Sequence, residues 1–585
     1  MRFTALALLV LVAACTQDRS AKSPVADPAS RRSLPAGDVV GFVGPFGSYE
    51  YRGIPYARAP VANRRWRAPE TLPRWEGTYE ALEFGAACPQ YGSRFAGVPV
   101  PSDQIAGEED CLFLNVYAPR DPGAGKRPVL VWIHGGGNVI GQASNYDGGH
   151  LAAERDVVMV AINYRLGPLG WFRHASLRED AASAGDRSGN YGVLDMVAAL
   201  TWVRDNVASF GGDPDNVTIF GESAGGRDVF ALLQAPAARG LFHRAISQSG
   251  ALRSSSLAEA ENFVDDPEAG LPNSSSEIVL RLLIADGAPD RAAARKKLDG
   301  MTPGDVGSYL RGKSAPDLLS VYSTDEMEGL IEVPQMFPDG AVLPEGTALQ
   351  ALATPGGHAG VPVMIGTNRD EDKLFLFASP EHTQEVFWVL PRLRDPERFE
   401  ALAEHGSRMW KASGADEPAA ALREGGGPGV YVYRFDWDEE PTVLGADFGQ
   451  MVGAAHGFEI PFVFGVFDLG DEADFVWADE TEASRRTLSD QMTSYWVNFA
   501  ATGKPGRGID GNLPEWGQAP SFMVLDTAAG GGLRMSDETL REEDVYEAAL
   551  ADTRLGTPEQ RCEALRQLRG RTNRHREAAL PAGCS

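Results

Sequence analysis

Five consecutive residues constrain the fold of this chain more than any others: Gly221-Glu222-Ser223-Ala224-Gly225. An apolar run, Val217-Thr218-Ile219-Phe220, leads into them, and a helix-like run, Val229-Phe230-Ala231-Leu232-Leu233, follows. Strand, tight turn and helix with a serine at the apex strain the backbone and lift the hydroxyl clear of a sheet. Glycines two before and two after the serine are needed because side chains there would strike the neighbouring strand and helix. The surrounding strand runs are short, continuous and apolar. That suits a mostly parallel sheet covered by helices on both faces, an α/β architecture.

A serine raised in this way is useful only beside donors for an oxyanion. Upstream, Val129-Leu130-Val131-Trp132-Ile133 reads as a buried strand running directly into His134-Gly135-Gly136-Gly137. Glycines after a core strand leave N–H groups exposed with no side chain in the way of a substrate. Two such donors with the N–H of Ala224 would surround an oxyanion, each supplying about 3 kcal/mol of transition-state stabilisation. An ordinary flexible turn is the competing reading of the glycine run alone.

The chain resembles the type-B carboxylesterases, the α/β-hydrolase family that includes the cholinesterases. Glu109-Asp110-Cys111-Leu112-Phe113-Leu114-Asn115-Val116 resembles the signature before the oxyanion strand, and Asn163-Tyr164-Arg165-Leu166-Gly167 the next strand end. Gly189-Asn190-Tyr191-Gly192, Phe210-Gly211-Gly212-Asp213-Pro214, Gly366-Thr367-Asn368-Arg369-Asp370-Glu371 and His456-Gly457-Phe458-Glu459 match further motifs in order. The resemblance covers about residues 38–520 and implies Ser223 as nucleophile, Glu371 as acid and His456 as base. It also implies an oxyanion hole of Gly136, Gly137 and Ala224, with Glu222 and Ser249 lining the site behind the triad. Serine needs a base because its hydroxyl is a poor nucleophile at neutral pH, and the acid fixes the imidazole tautomer. Glu371 is chosen over Asp370 and Asp372 on motif alignment alone. Glu222 could equally serve buried backbone groups near the turn.

The chain departs from the family in places. Arg227-Asp228 follows the serine turn where small or neutral residues are usual; a local surface ion pair or a narrowed site is expected. Met196 stands where glutamine is common and is given no function. Residues 88–111 hold no tryptophan, and Leu374 replaces an aromatic, so an aromatic cage for quaternary ammonium is not expected. The expected activity is hydrolysis of small to medium, largely uncharged carboxylic esters through an acyl-enzyme. A non-catalytic cholinesterase-like binding protein and a lipase for long acyl chains are the alternatives.

The N-terminus has a charged start, a short apolar core from Ala5 to Val12, and small residues before Cys15. This reads as an export signal over residues 1–14, too short to span a bilayer. Val12-Ala13-Ala14-Cys15 resembles a bacterial lipoprotein box, with Cys15 the lipidated residue and residues 15–33 a polar tether. A plain secretory signal is the alternative. The expected location is the periplasm or cell surface. The resemblance pairs Cys88 with Cys111, which leaves Cys562 and Cys584 to pair by elimination, as fits an oxidising compartment. No cofactor or metal motif is visible. A net charge of −27 excludes nucleic acid as a partner, since phosphate contacts need basic surface.

One catalytic domain is expected over residues 34–550, with 255–350 as a cap carrying helical pieces at Ile278–Ile284 and Arg291–Leu298. An Arg-rich tail, 551–585, follows. Its arginines form a solvated helix face or dock on the acidic body or anionic lipid.

Overall fold

The computed structural model describes residues 23–94, 96–121, 126–179, 181–324, 329–386, 390–467, 476–570 and 584. Its centre is an eleven-stranded sheet. The strands are β1 (Phe42–Val43), β2 (Tyr49–Pro55), β3 (Phe113–Ala118), β4 (Arg127–Ile133), β5 (Val158–Ile162), β6 (Gly212–Glu222), β7 (Arg244–Gln248), β8 (Val363–Asn368), β9 (Val430–Phe435), β10 (Phe522–Leu525) and β11 (Arg534–Ser536). Their order in space is β11-β10-β9-β8-β7-β6-β4-β5-β3-β2-β1. The run from β10 to β5 is parallel, and both edges are antiparallel. This is the α/β-hydrolase fold.

Strand β4 shows why these runs read as unbroken apolar sequence. Val129, Val131 and Ile133 enter one core, while Leu130 and Trp132 enter the other. Side chains alternate across a strand, and here both faces are covered. On one face lies helix α1 (Tyr191–Asn206), whose Val193, Met196, Leu200 and Val203 fall at helical spacing in the first core. Met196 is therefore a packing residue. Helix α2 (Ala224–Gln234) runs from the serine turn and packs on the same side. Against the opposite face lies α4 (Glu482–Thr502), which buries Leu488, Met492, Tyr495, Trp496 and Phe499. Full burial of such side chains contributes about 1.5–3 kcal/mol each.

In the cap region, helices span Ser275–Ala285 and Arg291–Asp299, over the pieces expected from sequence. They share a separate apolar cluster with Trp66, Tyr91, Phe172 and Tyr191 of the body.

Segments at both ends of the expected domain pack against it. Residues 27–33 were expected to be tether, yet they are held on the sheet: the N–H of Asp27 donates to the carbonyl of Gly41 at 2.9 Å, and Ser30 Oγ accepts from the N–H of Gly41 at 2.8 Å. Arg32–Leu34 pairs antiparallel with Gly37–Val40. The expected signal and Cys15 lie outside the described residues. In the tail, α6 (Pro558–Arg569) buries Ala564, Leu565 and Leu568 in a cluster shared with α3 (Pro396–Lys411) and α5 (Glu542–Ala551). Its Arg566 faces outward and pairs with Glu563 at 2.8 Å. Arg571, Arg574 and Arg576 lie outside the described residues. Disulfides join Cys88 to Cys111 and Cys562 to Cys584. Among the described residues no helix is long and apolar enough to cross a membrane.

Candidate active site

The C-terminal ends of β4, β6, β7 and β8 meet at one edge of the sheet. Gly221 lies in register with Ile133, and Glu222 with Gln248. Ser223 then turns sharply, with φ 57° and ψ −116°, a backbone conformation disfavoured for a side-chain-bearing residue. The N–H of Ser223 donates to the carbonyl of Gln248 at 2.9 Å, which fixes the turn on β7. Gly225 is there for space: a Cβ would stand 2.0 Å from the carbonyl oxygen of Ile133.

The turn after β4 lies opposite. Gly136, Gly137 and Asn138 have φ of 93°, 64° and 62°, three successive left-handed residues. Among the described residues, the N–H groups of Gly136, Gly137 and Ala224 find no acceptor. Ala224 is the first residue of α2, so its N–H also carries the positive end of the helix dipole. His134, which opens this turn, stacks on Tyr164 at 4.5 Å between ring centroids. Burial lowers its imidazole to about 4, so it is a neutral packing group.

Glu371 and His456 arrive from the segments that follow β8 and β9. His456 Nδ1 lies 2.6 Å from Glu371 Oε2, and the N–H of Asn368 donates to Glu371 Oε1 at 2.8 Å. Of the neighbouring acids, Asp370 is taken by Arg369 at 2.7 Å, and the N–H of Asp372 donates to Ser407 Oγ at 3.1 Å. Of these three acids, only Glu371 meets the imidazole among the described residues. The other ring nitrogen, Nε2, stands 3.2 Å from Glu222 Oε1. Ser223 Oγ makes no hydrogen bond to another described residue, and it is Glu222 that lies beside Nε2. Burial would lower the His456 imidazole, but Glu222 and Glu371 outweigh it and hold it at about 9. Burial raises the Glu222 carboxyl to about 8, against the attraction of His456.

Ser249 follows β7 with φ 50°, and its Oγ is buried without a partner. Glu459, raised by burial and by Glu371, accepts from Asn368 Nδ2 at 2.7 Å and Gln248 Nε2 at 3.1 Å. Trp410, from α3, was not anticipated. Its ring lies 4.7 Å from that of His456, and its Nε1–H donates to the carbonyl of Ser249 at 3.1 Å. Phe375 joins it, 5.4 Å from His456 and stacked on Trp410 at 5.8 Å. These two rings wall the imidazole.

The expected surface ion pair at Arg227-Asp228 is not formed. Asp228 is fully buried and points to Asn138, while Arg227 Nη1 donates to Gln335 Oε1 at 3.0 Å. The two side chains leave α2 in different directions because consecutive helix positions diverge by about 100°.

A strained serine turn above a parallel sheet, donors without acceptors beside it and a buried His–Glu pair define a serine hydrolase of the α/β-hydrolase fold. A sequence profile of the Carboxylesterase family matches residues 30–388 and 396–536. The chain belongs to this family and is a carboxylic ester hydrolase. It is 36% identical over 486 residues to para-nitrobenzyl esterase of Bacillus subtilis (strain 168), covering 78% of this chain and 87% of that protein. It is 33% identical over 535 residues to cocaine esterase of Homo sapiens, covering 85% and 86%. A solved PNB esterase structure superposes with a TM-score of 0.64 at 30% identity, over 87% of this chain and 97% of that one.

Proposed function

We propose that Ser223, His456 and Glu371 carry out the hydrolysis. The observation that carries this reading is the 2.6 Å contact of His456 Nδ1 with Glu371 Oε2, set beside the strained Ser223 turn. His456 Nε2 takes the Ser223 proton as Oγ attacks the ester carbonyl, and the N–H groups of Gly136, Gly137 and Ala224 receive the oxyanion. The imidazolium, stabilised by Glu371, then protonates the departing alcohol. Water, activated by the same nitrogen, releases the acid and frees Ser223. For the first step His456 Nε2 must exchange Glu222 for Ser223 Oγ; such hydrogen bonds often tighten only when substrate is bound. Glu222 and Ser249 line the site behind these groups.

The substrate proposed is a small to medium ester with an uncharged, partly apolar body. The Trp410–Phe375 wall supports an apolar group beside the imidazole. We further propose export with Cys15 lipid-anchored in a bacterial envelope; the two disulfides agree with an oxidising compartment. Intact-mass analysis of the mature protein tests that point, and a soluble product with an unmodified Cys15 refutes it.

Hydrolysis of p-nitrophenyl esters from acetate to palmitate, by wild type and Ser223→Ala, tests the mechanism. Wild-type turnover that falls by several orders of magnitude in the variant supports it. Undiminished turnover in Ser223→Ala overturns it. A rate that rises sharply above the solubility limit of the long esters would reassign the protein as a lipase.

A further inference from the structure

The left-handed turn that presents the Gly136 and Gly137 donors is not held by its own backbone alone. Its third residue, Asn138, is fully buried and its side chain is shared among three segments. Asn138 Nδ2 donates to Asp228 Oδ1 at 3.0 Å, on the helix that starts at the nucleophile turn. It also donates to Gln335 Oε1 at 3.1 Å, on the segment that returns from the cap. Asn138 Oδ1 accepts from the Tyr164 hydroxyl at 3.1 Å. Gln335 closes the circuit: its Nε2 donates at 2.8 Å to the carbonyl of Gly137, and its Oε1 also accepts from Arg227 Nη1 at 3.0 Å.

Each bond in this circuit bears on the orientation of one peptide unit, Gly137–Asn138. The carbonyl is gripped by Gln335, and the α-carbon that follows carries the Asn138 amide locked to Asp228. The N–H of Gly137 belongs to the preceding peptide, Gly136–Gly137, whose carbonyl accepts from the N–H groups of Val139 and Ile140 at 3.0 Å; the two units share the Gly137 α-carbon, so a displacement of the clamped unit moves that α-carbon and the donor on it. Positive φ costs asparagine less than most residues, but three left-handed residues in a row persist only where surrounding structure holds them. Burying a carboxylate at Asp228 is costly unless it is hydrogen-bonded, so its retention on the inner face of α2 needs such a use.

We propose that Asn138, Asp228 and Gln335 are positioning residues for the oxyanion hole, clamping the Gly137–Asn138 peptide in the orientation that aims the Gly137 N–H at the reacting carbonyl. This rests on the reading of Gly136, Gly137 and Ala224 as the oxyanion hole. It assigns a task to the Asp228 departure from the family pattern, and it ties the cap-return segment to the chemistry.

Asn138→Gly and Gln335→Ala are the variants to make, singly and together, with p-nitrophenyl butyrate as substrate. Glycine at 138 keeps the freedom for positive φ and removes only the side-chain clamp. Small misplacement of reacting groups can cost up to about a hundredfold in rate, so kcat is expected to fall about 10- to 100-fold in each single variant. KM should stay within about threefold, because the ground-state ester does not depend on the oxyanion donors. The Ki of a trifluoromethyl ketone, which adds to serine as a tetrahedral adduct, should rise in proportion to the loss in kcat/KM. The double variant should lose less than the product of the two single losses, since the clamp acts as a unit. Wild-type kcat in a folded Asn138→Gly overturns the proposal, because φ tolerance alone then suffices. A change confined to KM or thermal stability overturns it as well. Failure of the underlying reading is separately visible: wild type would then show no turnover and no labelling of Ser223 by a fluorophosphonate.

Discussion

Replacing Glu222 by glutamine should move the acid limb of the pH–rate profile downward. The structure places Glu222 Oε1 3.2 Å from His456 Nε2, and Glu222 and Glu371 together hold that imidazole up at about 9 against its burial. A unit charge at this separation with an effective dielectric near 20 is worth about 5 kcal/mol, a ceiling of roughly 3–4 pKa units. The realised shift is smaller because Glu222, pushed up to about 8, is itself largely protonated at neutral pH. A fall of about 1–2 units is expected in Glu222→Gln. The base must be neutral to accept the Ser223 proton, so kcat/KM rises with pH as His456 deprotonates. Lowering that ionisation brings the rise to lower pH. The assay is kcat/KM for p-nitrophenyl butyrate from about pH 5.5 to 10, in wild type and variant, fitted for the acid limb. The plateau is free to drop without affecting the argument. An acid limb that stays within about 0.3 units of wild type, or moves upward, would refute the assignment of Glu222 as the group that charges His456.

Other perturbations read other parts of the site. Glu371→Gln should leave the fold intact, by circular dichroism, and reduce kcat about 10⁴-fold, because an amide cannot stabilise the imidazolium. Gly225→Ala puts a methyl 2.0 Å from the Ile133 oxygen, so β4 and α2 must part; a loss of about 1–3 kcal/mol in denaturant unfolding should accompany lost turnover. Stability should also fall with rising pH. Both His456 and Glu222 bind protons more tightly in the folded state than when unfolded, so the folded state loses ground between about 4.5 and 8 through Glu222 and between about 6.5 and 9 through His456. Urea unfolding near pH 6 and near pH 9 should differ by up to about 6 kcal/mol, and by less in Glu222→Gln. Removing the 562–584 bridge by Cys→Ser at both ends frees a 22-residue span; α6 should become protease-sensitive, with a loss of up to about 3 kcal/mol, while esterase activity at 25 °C is kept.

What the sequence makes legible here is what sterics demands of neighbouring residues. The Gly221–Gly225 spacing is readable because a strand-to-helix turn this tight leaves no room for a Cβ beside Ile133, and the glycines report that demand locally. The apolar runs of β4 and β6 are readable because both their faces are covered. Glu371 required the motif around it: Asp370 and Asp372 are equally acidic, and only the folded loop shows that Arg369 engages one and Ser407 the other's backbone. Trp410 was out of reach, since its place beside His456 is set by how α3 packs and no local pattern marks it. Asp228 is the instructive case. Read with its neighbour Arg227, it looked like half of a surface pair. Read along the helix, it falls four residues after Ala224 and four before Leu232, and all three are fully buried. A carboxylate on the inward stripe of a helix needs a buried partner, and that requirement was present in the sequence. The partner's identity was not, because Asn138 lies ninety residues upstream and meets Asp228 only when β4 and β6 come into register. Periodicity can thus show that a polar network exists, while only the sheet topology shows which loop it grips.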